Sequence, residues 1–450
     1  MNSDVSVSSL GSALENCSNL SNLDLQIYKV HKQICNKYIA NLTQAFKKLS
    51  NLQKLTLDIN FNYVESSFIS DLITVLGSQS NLKILYLFVG TKKRIAKIGA
   101  QKLSSSLEKC ICLEKFKLDL TYNKIGIQGS QQLISILDQF VSLQTLNLDL
   151  KHNKIKSKGI LGLGYSLRMC SNLKNLKIDL SGNNIGKGFE FECDPSQEST
   201  NLKALTIQFD KNNIGFNKQA QNLGSFIAKN INLLKLQLML RETRMDQGSM
   251  QMLCHMLQKL TKLESLQLDL GINPIGEDWI LGLSTVLMNN KNLQILNIKF
   301  DKMNYDVSVS SLASALENCS NLSNLDLQIR KFDQQICNFY IVKLTQALKK
   351  LSNLQKLTLD INFNYVESSI IYDFITVLGS QSNLKILYLY VGYTIVVNNT
   401  ILCFCSALKH LNNIQYLYFY ISDDLDQVQQ QKLRHVIYKL KRLTKIFLMI

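Results

Sequence analysis

The stretch LEKFKLDLTYNKIGIQGSQQLISIL, residues 113–137, carries two hydrophobic periods in succession. Phe116, Leu118 and Leu120 alternate with Lys115, Lys117 and Asp119, the period of two required by a strand with one buried face. Asn123, Ile125, Gly126 and Gly129 follow as a turn segment. Leu133, Leu137 and Phe140 then return at helical spacing, which predicts a helix with one apolar side. Neither half can bury its apolar side alone. Units of this kind gain a core only by stacking, strand beside strand and helix beside helix.

The unit recurs along the chain. A leucine anchor, usually preceded by asparagine, stands at Leu20, Leu52, Leu82, Leu113, Leu143, Leu173, Leu202, Leu233, Leu263, Leu293, Leu322, Leu354, Leu384, Ile414 and Leu443. Successive anchors are about 30 residues apart, a period that belongs to repeat architectures. Fifteen repeats account for essentially all of the 450 residues, so one solenoid over residues 1–450 is expected instead of the two or three globular domains that length alone suggests.

These residues resemble the leucine-rich repeat family, in its ribonuclease-inhibitor-like subtype, whose pattern is LxxLxLxxNxIGxxGxxxLxxxL. The resemblance implies an α/β right-handed solenoid, a horseshoe with a parallel concave sheet and convex helices. One departure stands out. The asparagine falls ten residues past the anchor instead of eight, at Asn62, Asn123, Asn153, Asn183, Asn212, Asn273 and Asn364. Two extra residues preserve the inward–outward parity, so the strand is expected to gain one pleat. The regularity of this column predicts a structural role, a buried amide bonding the backbone of adjacent turns.

A second repetition is superimposed on the first. Residues 1–90 match residues 303–392 at a constant offset, with 14 of 90 positions different. Met1 therefore aligns with Met303, in mid-repeat, and Ile450 falls inside the fifteenth strand. Solenoids generally need caps, so either a partner covering the ends or a longer gene is expected. FECDPSQEST, residues 191–200, replaces the helix core of one repeat, and Pro195 marks it as the first site for a protease.

Composition excludes several classes. Hydrophobic residues at 46% and charged residues at 19% rule out wholesale disorder. The longest apolar runs, such as Ile84–Val89, are too short to span a membrane, and Met1 to Leu20 lacks the layout of a secretion signal. Eleven cysteines without framework spacing suggest reduced thiols and a cytoplasmic location. Cys17, Cys110, Cys170 and Cys319 each lie three residues before an anchor, which predicts small buried hydrophobes and not nucleophiles. Five histidines are scattered through different repeats, and Cys403 and Cys405 have the wrong spacing for a zinc or redox pair. GNNIGKG, residues 182–188, lacks the spacing of a phosphate loop, and no protein-kinase signature occurs. The sequence thus supports no catalytic residue, metal or cofactor.

Surfaces remain. Outward strand residues fall two, four and six past each anchor, and fifteen strands about 4.8 Å apart would present a face of about 70 Å. Asp119, Asp149 and Asp179 form an acidic strip at the sixth position on consecutive strands, read either as a solvated ladder or as a dock for a basic partner. On the last three strands Tyr388, Tyr390, Tyr416, Tyr418, Tyr420 and Phe447 take outward positions beside Ile386 and Met449, a composition typical of interface anchors. The alternative is that a missing C-terminal portion folds over them. Lysines and arginines cluster at 92–97, 151–158 and 432–445, within a net charge of +16. No stacking aromatics interleave the first two clusters, which suggests solvated surface and argues against nucleic acid.

The resemblance implies a non-enzymatic scaffold that binds a protein partner through the concave sheet face. Two other readings stay open: the regulatory arm of a larger protein kinase or GTPase-regulating protein, and, from net charge, a nucleic-acid-binding protein.

Overall fold

Fifteen strands, nearly all followed by a helix, run through the chain in a computed structural model that describes residues 10–28, 35–61, 66–77, 79–91, 96–186, 188, 201–215, 217–274, 276–300, 306–329, 334–361, 366–391, 398–421, 427–440 and 442–449. Two compact parts divide it, Met1–Leu233 and Leu234–Ile450. The first holds β1 (Asn22–Tyr28), β2 (Lys54–Phe61), β3 (Ile84–Thr91), β4 (Lys115–Asp119), β5 (Thr145–Asp149), β6 (Asn175–Asp179) and β7 (Ala204–Gln208). The second holds β8 (Lys235–Met239), β9 (Ser265–Asp269), β10 (Ile295–Phe300), β11 (Asn324–Ile329), β12 (Lys356–Ile361), β13 (Ile386–Val391), β14 (Tyr416–Ile421) and β15 (Lys445–Met449). Within each part every strand pairs in parallel with the next in sequence. Each part has the α/β repeat fold expected, parallel strands alternating with helices. Residues 191–200 lie outside the described residues, as do Asn62 and Asn364.

The parity read from residues 113–137 is realised strand by strand. Phe116 and Leu118 are buried while Lys115, Lys117 and Asp119 are not, and the same alternation recurs in β5 and β8. Helices such as Gln247–Leu257 and Glu277–Asn289 bury Leu253, Leu257, Leu283 and Leu287 on one side. Burying one such leucine is worth about 1.5–3 kcal/mol, so the paired layers supply the core. Some repeats close more tightly than expected. The fifth has only a 3₁₀ turn, Ser157–Ile160, before a short helix, Leu163–Met169.

The expected extra pleat is present. Leu120 N–H donates to Asp149 O at 2.9 Å and Leu150 N–H to Asp179 O at 2.8 Å, one step past the end of each strand. The ladder then continues through the turn, because the ninth residue past the anchor adopts a left-handed conformation. Tyr122 (φ 63°), His152 (φ 54°) and Gly182 (φ 67°) each donate their N–H to the carbonyl of the next repeat, at 2.9–3.0 Å. This reversal turns the tenth residue inward. Asn153 Nδ2 donates to Leu120 O at 2.8 Å, and Asn183 Nδ2 to Leu150 O at 2.8 Å. Their Oδ1 atoms accept from the backbone of the preceding repeat, Asn183 from Asn153 N–H at 2.7 Å and Asn212 from Asn183 N–H at 3.1 Å. In the eighth repeat the position holds Thr243, whose hydroxyl lies 3.2 Å from Asn273 Oδ1.

A second amide ladder runs along the opposite edge. The asparagine preceding the anchor donates to the carbonyl two residues before the previous anchor: Asn51 to Ser18 O, Asn172 to Val141 O, Asn321 to Lys291 O and Asn383 to Ser352 O, at 2.9–3.0 Å. Among the described residues no helix is long and apolar enough to cross a membrane.

Candidate interaction surface

The outward aromatics of the last three strands meet in one cluster. Parity sends Leu387, Leu389, Leu417 and Phe419 into the core, where each is at most 2% exposed, and leaves the residues between them on the sheet face. Parallel register then sets Tyr388 opposite Tyr418, Tyr390 opposite Tyr420 and Tyr418 opposite Phe447. The ring centroids of Tyr388 and Tyr418 are 5.8 Å apart, those of Tyr390 and Tyr418 5.0 Å, and those of Tyr390 and Tyr420 6.4 Å. Tyr418 stacks on Phe447 at 4.7 Å with the planes within 4°. Tyr416, 40% exposed, pairs with Ile386 and Lys445 and stands apart from the ring network.

Chemistry at the margin of the cluster is mixed. Lys356 Nζ lies 5.7 Å from the centre of the Tyr388 ring, and Asp360 is the cross-strand neighbour of Tyr390. Burial, and then the neighbouring Tyr418 phenol, push the Tyr390 hydroxyl above the ordinary tyrosine value, so it stays a donor at neutral pH. Contiguous rings that retain polar tips are the composition of interface anchors.

The duplicated block provides an internal comparison. Tyr86 and Phe88 occupy in β3 the places of Tyr388 and Tyr390, but β4 presents Lys117 and Asp119 beside them. Lys117 Nζ sits over the Phe88 ring at 4.5 Å, where the second copy has another aromatic row.

The acidic strip is engaged otherwise. Asp119 Oδ1 accepts from Thr121 N–H at 3.0 Å and Thr121 Oγ1 at 2.7 Å, and Asp179 Oδ1 accepts from Ser181 N–H at 3.0 Å. Lys151 Nζ reaches Asp149 at 3.0 Å and Asp179 at 3.5 Å. Burial pulls the Lys151 ammonium down, but its hydrogen bond to Asp149 and the two carboxylate charges more than reverse this, and its pKa is raised. These carboxylates end their strands by bonding the first turn, and Asp179 is only 3% exposed.

Burial pushes the thiol of Cys110 up to about 11 and those of Cys170 and Cys319 up to about 12. Cys170 Sγ lies 3.1 Å from Leu137 O, so these residues fill the core at a repeat position. Cys17 departs from the expectation: it is exposed. Among the described residues no group of three His, Cys, Asp or Glu is arranged to hold a metal.

One feature escaped the sequence reading. Phe339, Val342 and Tyr372 on the helices Gln334–Lys350 and Ser368–Gly379 are 67%, 37% and 56% exposed. The first copy has Lys37, Ala40 and Ser70 at these places. Comparison of the two copies position by position was the signal available.

No protein-family model matches the chain, and no curated protein matches it. Among solved structures, it is similar to an internalin, inlF, of Listeria monocytogenes, at 17% identity and a TM-score of 0.47 over 92% of this chain and 95% of that one. It is also similar to a chain of the Rad7 and Elc1 complex of yeast, at 12% identity and a TM-score of 0.44 over 98% of this chain and 92% of that one.

Proposed function

We propose that this chain is a non-enzymatic scaffold that holds a protein partner against the sheet face at Tyr388, Tyr390, Tyr418, Tyr420 and Phe447, with Tyr416 at the margin. The observation that carries the reading is the contiguity of five rings across β13, β14 and β15. Rigid aromatic side chains bury large areas at low entropic cost and dominate binding energy where they cluster. The repeat pattern favours the ribonuclease-inhibitor-like subtype, a single solenoid over residues 1–450 and a cytoplasmic setting. Asp119, Asp149 and Asp179 serve this scaffold as strand ends, with a secondary docking role at most.

A photo-crosslinking residue at position 418 identifies the partner, with position 88 as the matched control. Against that purified partner, Tyr390→Ala with Tyr418→Ala is expected to cost about 2 kcal/mol or more, while Phe88→Ala leaves affinity nearly unchanged. Equal losses at both places, or unfolding of the double variant with no loss in any single one, would overturn the reading.

A further inference from the structure

The left-handed turns of repeats four to seven build a rim with a chemistry of its own. Positive φ at the ninth position of all four repeats, and at the eleventh of the first three, sets these residues on either side of the buried asparagine. The ninth position carries Tyr122, His152, Gly182 and Lys211 on successive repeats. Tyr122 and His152 are stacked, centroids 4.5 Å apart and planes within 11°. The imidazole rests in turn on Gly182, where an added Cβ would fall 2.3 Å from the ring. Tyr122 remains 60% exposed although one neighbour is stacked on it. The expectation that no aromatics interleave the basic cluster at 151–158 is thereby corrected: register brings Tyr122 in from the preceding repeat.

Around this stack cations predominate. Residues 122–128, 152–158, 182–188 and 211–217 contain no aspartate or glutamate. Lys124, Lys154, Lys156, Lys158 and Lys211 are exposed. The carboxylates of Asp119, Asp149 and Asp179 are committed to their own turns and to Lys151, as described above, and Asp210 precedes Lys211 at the last of these turns. The pattern ends at the eighth and ninth repeats, where Glu242 and Ile272 take the ninth position.

We propose that this rim binds single-stranded nucleic acid, with a base stacked on Tyr122 and the sugar–phosphate backbone on the lysines. An exposed aromatic face flanked by exposed cations is the combination that single strands require, and it reads no sequence. A protein partner would need acidic complementarity and would make no specific use of an open ring face. Duplex is a poorer fit, since its bases are already stacked.

The test is fluorescence anisotropy of the full chain with a short labelled oligothymidylate across a salt series. Binding should weaken with salt, and a duplex of the same length should bind less tightly at each salt concentration. Lys124→Ala with Lys154→Ala should flatten the log–log salt slope by about 1.4, the effect of two phosphate contacts on a single strand. Tyr122→Gly, which keeps the left-handed backbone unstrained, should weaken binding about tenfold at unchanged slope. Arg244→Ala on the eighth repeat is the control and should change nothing. Thermal melting of each variant separates a binding loss from unfolding. Absence of binding at about 50 mM salt would overturn the proposal. So would a Tyr122→Gly variant that binds like the parent while inorganic polyphosphate competes fully, since the rim would then be a surface for anions without base stacking.

Discussion

Lys117 and Leu118 are adjacent, yet their side chains meet different surroundings. Leu118 is 1% exposed, and Lys117 lies on the sheet face over Phe88. Leu118→Ala is expected to cost about 2–5 kcal/mol in urea unfolding and Lys117→Ala no more than about 0.5. Ile272 makes the opposite case. It holds φ 59° with a β-branched side chain that is 54% exposed, a conformation that costs an L residue about 1–2 kcal/mol. Ile272→Gly should therefore raise stability by about 1 kcal/mol despite deleting an apolar group, as read from the denaturation midpoint. Thiol reactivity separates the cysteines in the same residue-by-residue way. With pKa values pushed up to about 11 or 12, the buried thiols of Cys110, Cys170, Cys254 and Cys319 hold almost no thiolate at pH 8. Mass spectrometry after brief alkylation at that pH should find Cys17 and Cys112, both exposed, labelled ahead of these four.

At the scale of the element, the turn between strand and helix owes its shape to the amide column. Asn183 gives its Nδ2 to Leu150 O and Leu180 O and accepts the N–H of Asn153, so it ties together the backbone of two adjacent repeats. Removing it strands buried donors and acceptors, each worth about 1–3 kcal/mol when left unpaired. Asn183→Ala is expected to destabilise by about 3 kcal/mol, while Asn172→Ala, on the exposed ladder at the other edge, costs about 0.5, since water replaces its bond to Val141 O. Circular dichroism melts of the pair of variants measure the difference. The asparagine column was legible in the sequence through its spacing alone. The exposed column was visible only as a habit of the residue before the anchor, and its function needed the register that sets Asn172 beside Val141.

On the scale of the whole molecule, stability is expected to be a sum of neighbour terms, because within each compact part a strand pairs only with those adjacent in sequence. A core change should therefore be felt locally. Hydrogen exchange in Leu118→Ala should speed up in β3, β4 and β5 while β11, β12 and β13 keep the protection of the parent chain. A uniform rise across all strands would show instead a single cooperative body. The duplicated blocks make this comparison internal, since nearly the same sequence sits in both compact parts.

What the amino-acid sequence determines by itself is everything that depends on period. Alternation over residues 115–120, helical spacing over 133–140 and recurrence of the anchor specify strand, helix and parallel stacking, because local geometry and burial allow no other use of that pattern. The same parity identified the outward aromatics of β13, β14 and β15. Tertiary structure alone decided which outward residues touch. Tyr86 and Tyr388 are identical residues in matching strands, and only the neighbouring strand makes one face a lysine and the other a tyrosine ring. Tyr122 and His152, 30 positions apart, meet because two left-handed turns lie one above the other. Period is a property of one segment and can be read from it; adjacency is a property of two and depends on the register between them.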